Sequence, residues 1–178
     1  MALLVWLEGL RGSSMEGKSL LLATTHLKAK AQCGDIRFQQ GKFLERELLK
    51  RTTADGAAGS GHPLIVCGDF NDDPDSKVIK DVMKSSKLAL ASAYARMSAS
   101  GQEEPPYTTW KVRSGKGGPG AGQVQQCHTI DYVFYTPANT RCLQLLQFPT
   151  EDDLKPGFLP SFAYPSDHLS LVADFVFT

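Results

Sequence analysis

Apolar residues cluster into short, almost unbroken runs, and these runs read as strands. Met1 to Leu7 (MALLVWL) is the first and Lys18 to Leu27 (KSLLLATTHL) the second. The second has the near-continuous apolar character of a strand buried on both faces. The Gly- and Ser-rich stretch from Gly9 to Gly17 is short enough to pair them as a hairpin. From Asp35 to about Arg51 the pattern changes to helical spacing. Ile36 and Phe43 are seven apart, and Leu44 and Leu48 four apart, which predicts one apolar face, with Lys42, Glu45, Arg46 and Lys50 on the wet side. Thr52 to His62 is a loop by composition. Pro63 to Cys67 (PLIVC) reads as a short buried strand, and a second helix is expected after Pro74, with Asp75 as its N-cap and the i,i+4 pairs Val78/Val82 and Ile79/Met83. Four more strand-like runs follow: Tyr107 to Arg113, Thr129 to Tyr135, Arg141 to Phe148 and Leu169 to Phe177. A Gly-rich stretch (Ser114 to Gln123) separates the first two, and mobile insertions are expected near 54–62 and 114–126. The pattern is mixed α/β (α+β) with more strand than helix.

With 178 residues, 42% hydrophobic and 21% charged, the chain has the composition and length of one globular domain. The 19 basic and 19 acidic residues cancel, which argues against a general basic nucleic-acid binder but leaves room for a local basic patch. No apolar run approaches the length of a membrane span. Cys33, Cys67, Cys127 and Cys142 form no C-x-x-C pair and no histidine lies at zinc-finger spacing, so reduced thiols in an intracellular protein are expected. The opening MALLVWLEGLRG has no basic residues ahead of its apolar run, unlike a signal peptide, and lacks the Arg/Ser-rich character of a transit peptide.

Four segments share one design, in which a strand-like run meets a cluster of acid, amide or imidazole groups. They are Thr25-His26-Leu27-Lys28, Gly68-Asp69-Phe70-Asn71, Thr129-Ile130-Asp131-Tyr132 and Ser166-Asp167-His168. Strand ends fix side chains while leaving their tips exposed. The mixture suits metal-assisted attack of water on a phosphate ester. Carboxylates hold Mg²⁺, Lys and His neutralise phosphate oxygens, and a carboxylate can position or deprotonate a water. Taken singly, each segment is also an ordinary turn or a satisfied buried acid. Together, in this order, they are far more specific. His62 and His128 read as structural or solvated, and Glu103, Glu104, Asp152 and Asp153 as solvated. Asp72 and Asp73 add to the local negative field.

THLKAK, IVCGDFND-P, TIDYVFY and YPSDHLSLVADF resemble the endonuclease/exonuclease/phosphatase superfamily, which has the fold of DNase I. The resemblance covers nearly the whole chain from Lys18 onward and lapses at Ala54 to His62 and Ser114 to Gln126. It implies two stacked, mostly antiparallel sheets flanked by helices, with the active site at one end. EPPYTTWKVR and LPSFAYPSDHLSLVADF are most similar to a branch related to the poly(A)-shortening deadenylases that removes the 2′-phosphate of NADP⁺ and NADPH. By this resemblance His26 contacts the scissile phosphate and Lys28 binds phosphate. Asp69 orients or activates the water, with Asn71 its phosphate-binding partner. Asp131 orients His168, Asp167 lies near a metal, and Arg113 contacts substrate. Mg²⁺ is the implied cofactor.

Two departures matter. Lys30 stands where the branch has arginine; an ammonium pairs with phosphate but makes no bidentate fork. The N-terminal half of the superfamily domain, with the glutamate that is its main Mg²⁺ ligand, has no counterpart here. The chain is therefore expected to be a C-terminal half, one partial domain over 1–178 that exposes apolar faces. Three readings stay open: an NADP(H) 2′-phosphatase, a poly(A)-specific 3′-exonuclease acting on RNA, and an inactive fragment that binds without turnover. The expected compartment is intracellular, either the cytoplasm or, if a targeting segment lies upstream, the mitochondrion.

Overall fold

The computed structural model describes residues 1–52, 62–114 and 122–177. Nine strands run in the order β1 (Ala2–Glu8), β2 (Ser19–His26), β3 (Leu64–Asp69), β4 (Ala91–Ser92), β5 (Thr109–Ser114), β6 (Gln123–His128), β7 (Asp131–Tyr135), β8 (Thr140–Leu145) and β9 (Ala173–Phe177). Helix α1 (Gly34–Thr52) follows β2, and the short helix α2 (Glu151–Leu154) precedes β9. The central sheet has the order β1-β2-β3-β7-β4, and β5-β6 and β8-β9 form two small two-stranded sheets. β1 and β2 pair antiparallel, as expected of a hairpin. β2 and β3 pair in parallel, with α1 between them in the chain, since parallel neighbours need a crossover. β3 and β7 pair antiparallel.

Alternation sorts the central sheet's residues onto two faces. Leu21, Ala23, Leu64, Val66, Tyr132 and Phe134 meet α1 and the turn at Val78–Met83 on one side. Ile65, Val133 and Tyr135, with Leu20, Leu22 and Cys67, meet residues of β8 and β9 on the other. The sheet is thus covered on one face by helix and on the other by a second sheet, the mixed α/β, DNase I-like layering expected. Gly41 lets α1 sit close, because a Cβ there would lie 2.4 Å from Val78 Cγ2. Gly68 has φ +138°, and a Cβ there would lie 1.9 Å from the Thr25 carbonyl oxygen on β2.

Several expectations are corrected. α1 buries Arg37, Gly41, Leu44, Glu45 and Leu48, while Ile36 and Phe43 are exposed. Glu45, assigned to the wet side, is held inside by Lys42 and by the hydroxyl of Ser85. Glu104 is likewise buried rather than solvated, because Lys84 pairs with it at 2.8 Å and Ser92 Oγ donates to it at 2.8 Å. The second helix is a single wide π-helical turn, Val78–Met83, and Asp75 pairs with Lys80 instead of capping it. Residues 123–126, placed in an insertion, belong to β6, hydrogen-bonded to β5. The rest of that stretch, 115–121, and the loop at 53–61 lie outside the described residues.

Large apolar side chains do lie exposed: Leu3, Trp6 and Leu7 on β1, Leu143 on β8, and Leu146 and Val172 beside the β8–β9 pair. The four cysteines are free. Among the described residues no helix is long and apolar enough to cross a membrane.

Candidate active site

The register of the central sheet puts three polar residues in one row. His26 is opposite Asp69 across β2 and β3, and Asp69 is opposite Asp131 across β3 and β7. Alternation places all three on the face shared with Leu22, Cys67 and Val133, at the end where the apolar run stops. His168 arrives from the loop before β9. Its Nδ1 lies 2.9 Å and 3.1 Å from the two oxygens of Asp131. With Asp131 as acceptor, Nδ1 carries the proton and Nε2 is left for a substrate. That bond raises the His168 pKa above the usual imidazole value, against the opposing effect of partial burial. Burial also raises the Asp69 pKa, and the Asp131 charge adds to it, while the Asn71 N–H and the His168 and His26 rings oppose the shift.

Thr108, fully buried, is the fixing point of this cluster. Its hydroxyl donates to Asp131 Oδ2 at 2.7 Å and accepts from the backbone N–H groups of Ile130 and Asp131 at 3.1 Å each. Its carbonyl accepts the Leu169 N–H at 2.8 Å, and the Thr109 hydroxyl donates to the Asp167 carbonyl at 2.6 Å. The loop bearing His168 is therefore stitched to the β5 entrance. Nothing in the hydropathy pattern marks Thr108; its only sequence signal is its place in the YTTW segment.

The remaining candidates divide into those the structure gathers and those it does not. His26, largely exposed, has its Nε2 3.5 Å from Asp69 Oδ2. Asn71 follows Asp69 in an Asx turn: its N–H donates to Asp69 Oδ1 at 2.7 Å and its Nδ2 to the Leu27 carbonyl at 3.1 Å. Lys28 and Lys30 are exposed on the loop directly after His26. Asp167 stands apart from the Asp69–Asp131–His168 group. Lys111 Nζ, 2.5 Å away, holds its carboxylate and keeps its pKa below the usual range. Arg113 lies in β5, opposite Val124, and its side chain is outside the described residues. Asp72 and Asp73 add less negative field than the sequence suggests, because Arg37 pairs with Asp72 and His128 with Asp73. Lys111, Thr108 and Arg37 are the contributors that sequence reasoning missed.

Asp69, Asp131 and His168 form the one group, among the described residues, whose ligand atoms all lie within 4.8 Å of one another. Asp131 already accepts from Thr108 and His168, and Asp69 Oδ1 from Asn71, so Asp69 Oδ2, with His26 Nε2 at 3.5 Å, is the least committed carboxylate oxygen of the group. Mg²⁺ keeps several waters and needs only one or two carboxylates from a protein, so this donor set fits such an ion. The assembly can hold a water against a carboxylate and present cationic and N–H groups to phosphate oxygens.

The chain is similar to known proteins in both sequence and fold. Residues 40–168 match the model of the endonuclease/exonuclease/phosphatase family. The chain is 45% identical over 161 residues to Nocturnin of Xenopus laevis, covering 90% of this chain and 38% of that protein. It is 45% identical over 162 residues to Nocturnin of Homo sapiens, covering 91% of this chain and 34% of that protein. The solved structure of the human Nocturnin catalytic domain with bound sulfate anion superposes with a TM-score of 0.75 at 39% identity, over 99% of this chain and 53% of that one. The chain therefore spans little more than a third of the length of the curated relatives it matches.

Proposed function

The chain belongs to the endonuclease/exonuclease/phosphatase family, and on that premise we propose that it is a phosphoester hydrolase that removes the 2′-phosphate of NADP⁺ and NADPH, giving NAD⁺ and NADH. The observation that carries the reading is the convergence of Asp69, Asp131 and His168 at one strand end, beside a loop bearing two exposed lysines. A compact cationic spot next to a carboxylate–imidazole pair suits a single terminal phosphate. A track of stacked bases would call for an extended basic and aromatic groove instead. The human relative's structure, which holds a sulfate, supports an oxyanion site in this family branch.

In the proposed reaction Asp69 Oδ2 orients the water and takes its proton. Attack on phosphorus forms the new P–O bond and breaks the bond to the ribose 2′ oxygen. That oxygen leaves with the electron pair and takes a proton from solvent to become the 2′-hydroxyl, while inorganic phosphate is released and Asp69 returns the water's proton to solvent. His168, protonated on both nitrogens with its Nδ1–H held by Asp131, donates from Nε2–H and, with Asn71 and His26, stabilises the charge that builds on the phosphoryl oxygens. Lys28, Lys30 and Arg113 bind the substrate's phosphates. A divalent cation, proposed to be Mg²⁺, would supply Lewis-acid neutralisation of phosphate charge, and within the Asp69–Asp131–His168 group Asp69 is the carboxylate left to reach it. By the family resemblance the main metal-binding glutamate belongs to the other half of the domain. We therefore place 1–178 as one partial catalytic domain.

The test is phosphate release from NADP⁺ by the chain, with Mg²⁺ and with EDTA. Release should require the metal, and Asp69→Asn should slow it by about 10³-fold, the contribution of a placed general base. Release that is indifferent to EDTA, or unchanged in Asp69→Asn, contradicts the reading.

A further inference from the structure

The loop after β2 carries the two lysines, yet it has almost no regular structure of its own. Its backbone is tied instead to two side chains one turn apart on α1. Gln40 Oε1 accepts the Lys28 N–H at 2.9 Å. Arg37 Nη1 donates to the Lys28 carbonyl at 3.0 Å and to the Lys30 carbonyl at 2.8 Å. The other edge of the same guanidinium grips Asp72: Nη2 lies 3.0 Å from Oδ1 and Nε 2.9 Å from Oδ2. Arg37 is only 4% exposed, so it uses its donors inside the protein and not on solvent. Lys30 has φ +86°, a conformation that costs a lysine roughly 1–3 kcal/mol and persists only where neighbours impose it. Two donors hold its carbonyl, Arg37 Nη1 at 2.8 Å and the Cys33 N–H at 3.0 Å.

The same network reaches the other half of the site. Asp72 follows the Asp69–Asn71 turn, and Asn71 Nδ2 donates to the Leu27 carbonyl at 3.1 Å. One guanidinium therefore links the lysine-bearing loop to the turn carrying the water-orienting carboxylate. We propose that Arg37 and Gln40 are positioning residues for phosphate binding: a clamp on α1 that sets the distance and direction of Lys28 and Lys30 relative to Asp69 and Asn71. The inference rests on the phosphoester reading of that site, and it makes the phosphate affinity of the lysines depend on a buried helix face that touches no substrate. Lysine cannot replace Arg37, because an ammonium lacks the planar fork that serves two carbonyls and a carboxylate at once.

Binding of inorganic phosphate to the full chain, measured by calorimetry beside the thermal midpoint of each variant, tests this. Arg37→Lys should weaken binding about tenfold and Gln40→Ala about threefold, as losses of one strong and one ordinary hydrogen-bonded placement. In a Lys28→Ala background the Arg37→Lys loss should shrink below about threefold, since the clamp acts through that lysine. A purely structural role would lower the midpoint and leave the two effects additive. If Arg37→Lys does not fold, Gln40→Ala alone carries the test, and unchanged affinity there overturns the clamp. So does unchanged affinity in a folded Arg37→Lys, an undiminished loss in the Lys28→Ala background, or an unaltered chain that binds no phosphate. A chain that binds phosphate with this pattern yet leaves NADP⁺ intact removes the proposed reaction and keeps the clamp.

Discussion

His168 shows how much one hydrogen bond sets at the residue scale. Its Nδ1 contact with Asp131 favours the protonated ring and lifts its pKa above the usual value. The sign for stability follows: the contribution is fully present below the ordinary histidine pKa of about 6.5 and is lost as pH rises through the raised folded-state value. Following the His168 ring protons by NMR in metal-free protein should give a midpoint above that ordinary value, and Asp131→Asn should bring it down. A midpoint at or below the ordinary value in the unaltered chain would mean the Asp131 contact does not persist in solution. At this scale the sequence was informative where a polar residue broke an apolar run. Asp69 and Asp131 each stand in phase with inward strand residues, so their placement on one face was legible. Thr108 and Arg37 were not, because a threonine beside a second threonine and an arginine in a charged helix look like surface residues until their buried partners are known.

The elements were legible in proportion to their burial. β2 and β3 lie in the middle of the sheet and read as continuous apolar runs, whereas β6 pairs with β5 alone and carries the polar string Gln123-Val124-Gln125-Gln126. α1 was found and Leu44 and Leu48 do face inward, but the rest of its inward face was misjudged. Apolar spacing favoured Ile36 and Phe43, while the packing chose Arg37, Gly41 and Glu45, whose burial depends on partners in other elements. Two glycines make the element contacts testable. Gly68→Ala adds both strain at φ +138° and a clash with the Thr25 carbonyl, and should cost about 3 kcal/mol in denaturant unfolding. Gly41→Ala forces α1 away from Val78, and should cost about 1 kcal/mol after the alanine's better helix propensity is counted. Equal stabilities for both variants and the unaltered chain would contradict the close approaches of β2 to β3 and of α1 to the Val78–Met83 turn.

At the scale of the whole molecule, one sheet serves two purposes. One face is filled by α1 and the Val78–Met83 turn, the other by β8 and β9, and the ends of β2, β3 and β7 are left to carry the chemistry. The mixed α/β class was legible from the run of strands and the helical spacing after Asp35, while the layering was implied by the family resemblance. The parallel β2–β3 pairing was not, because register and direction depend on long-range contacts that composition does not encode. The overall charge balance of 19 against 19 leaves no global field to gather a polyanion, so specificity falls to the local lysines and the groups around Asp69. That makes substrate choice the most direct test of the account. One preparation of the chain, given NADP⁺ and an oligoadenylate side by side with Mg²⁺, should yield NAD⁺ and inorganic phosphate while the oligoadenylate keeps its length. A shortened oligoadenylate with NADP⁺ untouched, or no reaction of either by a folded sample, would contradict it.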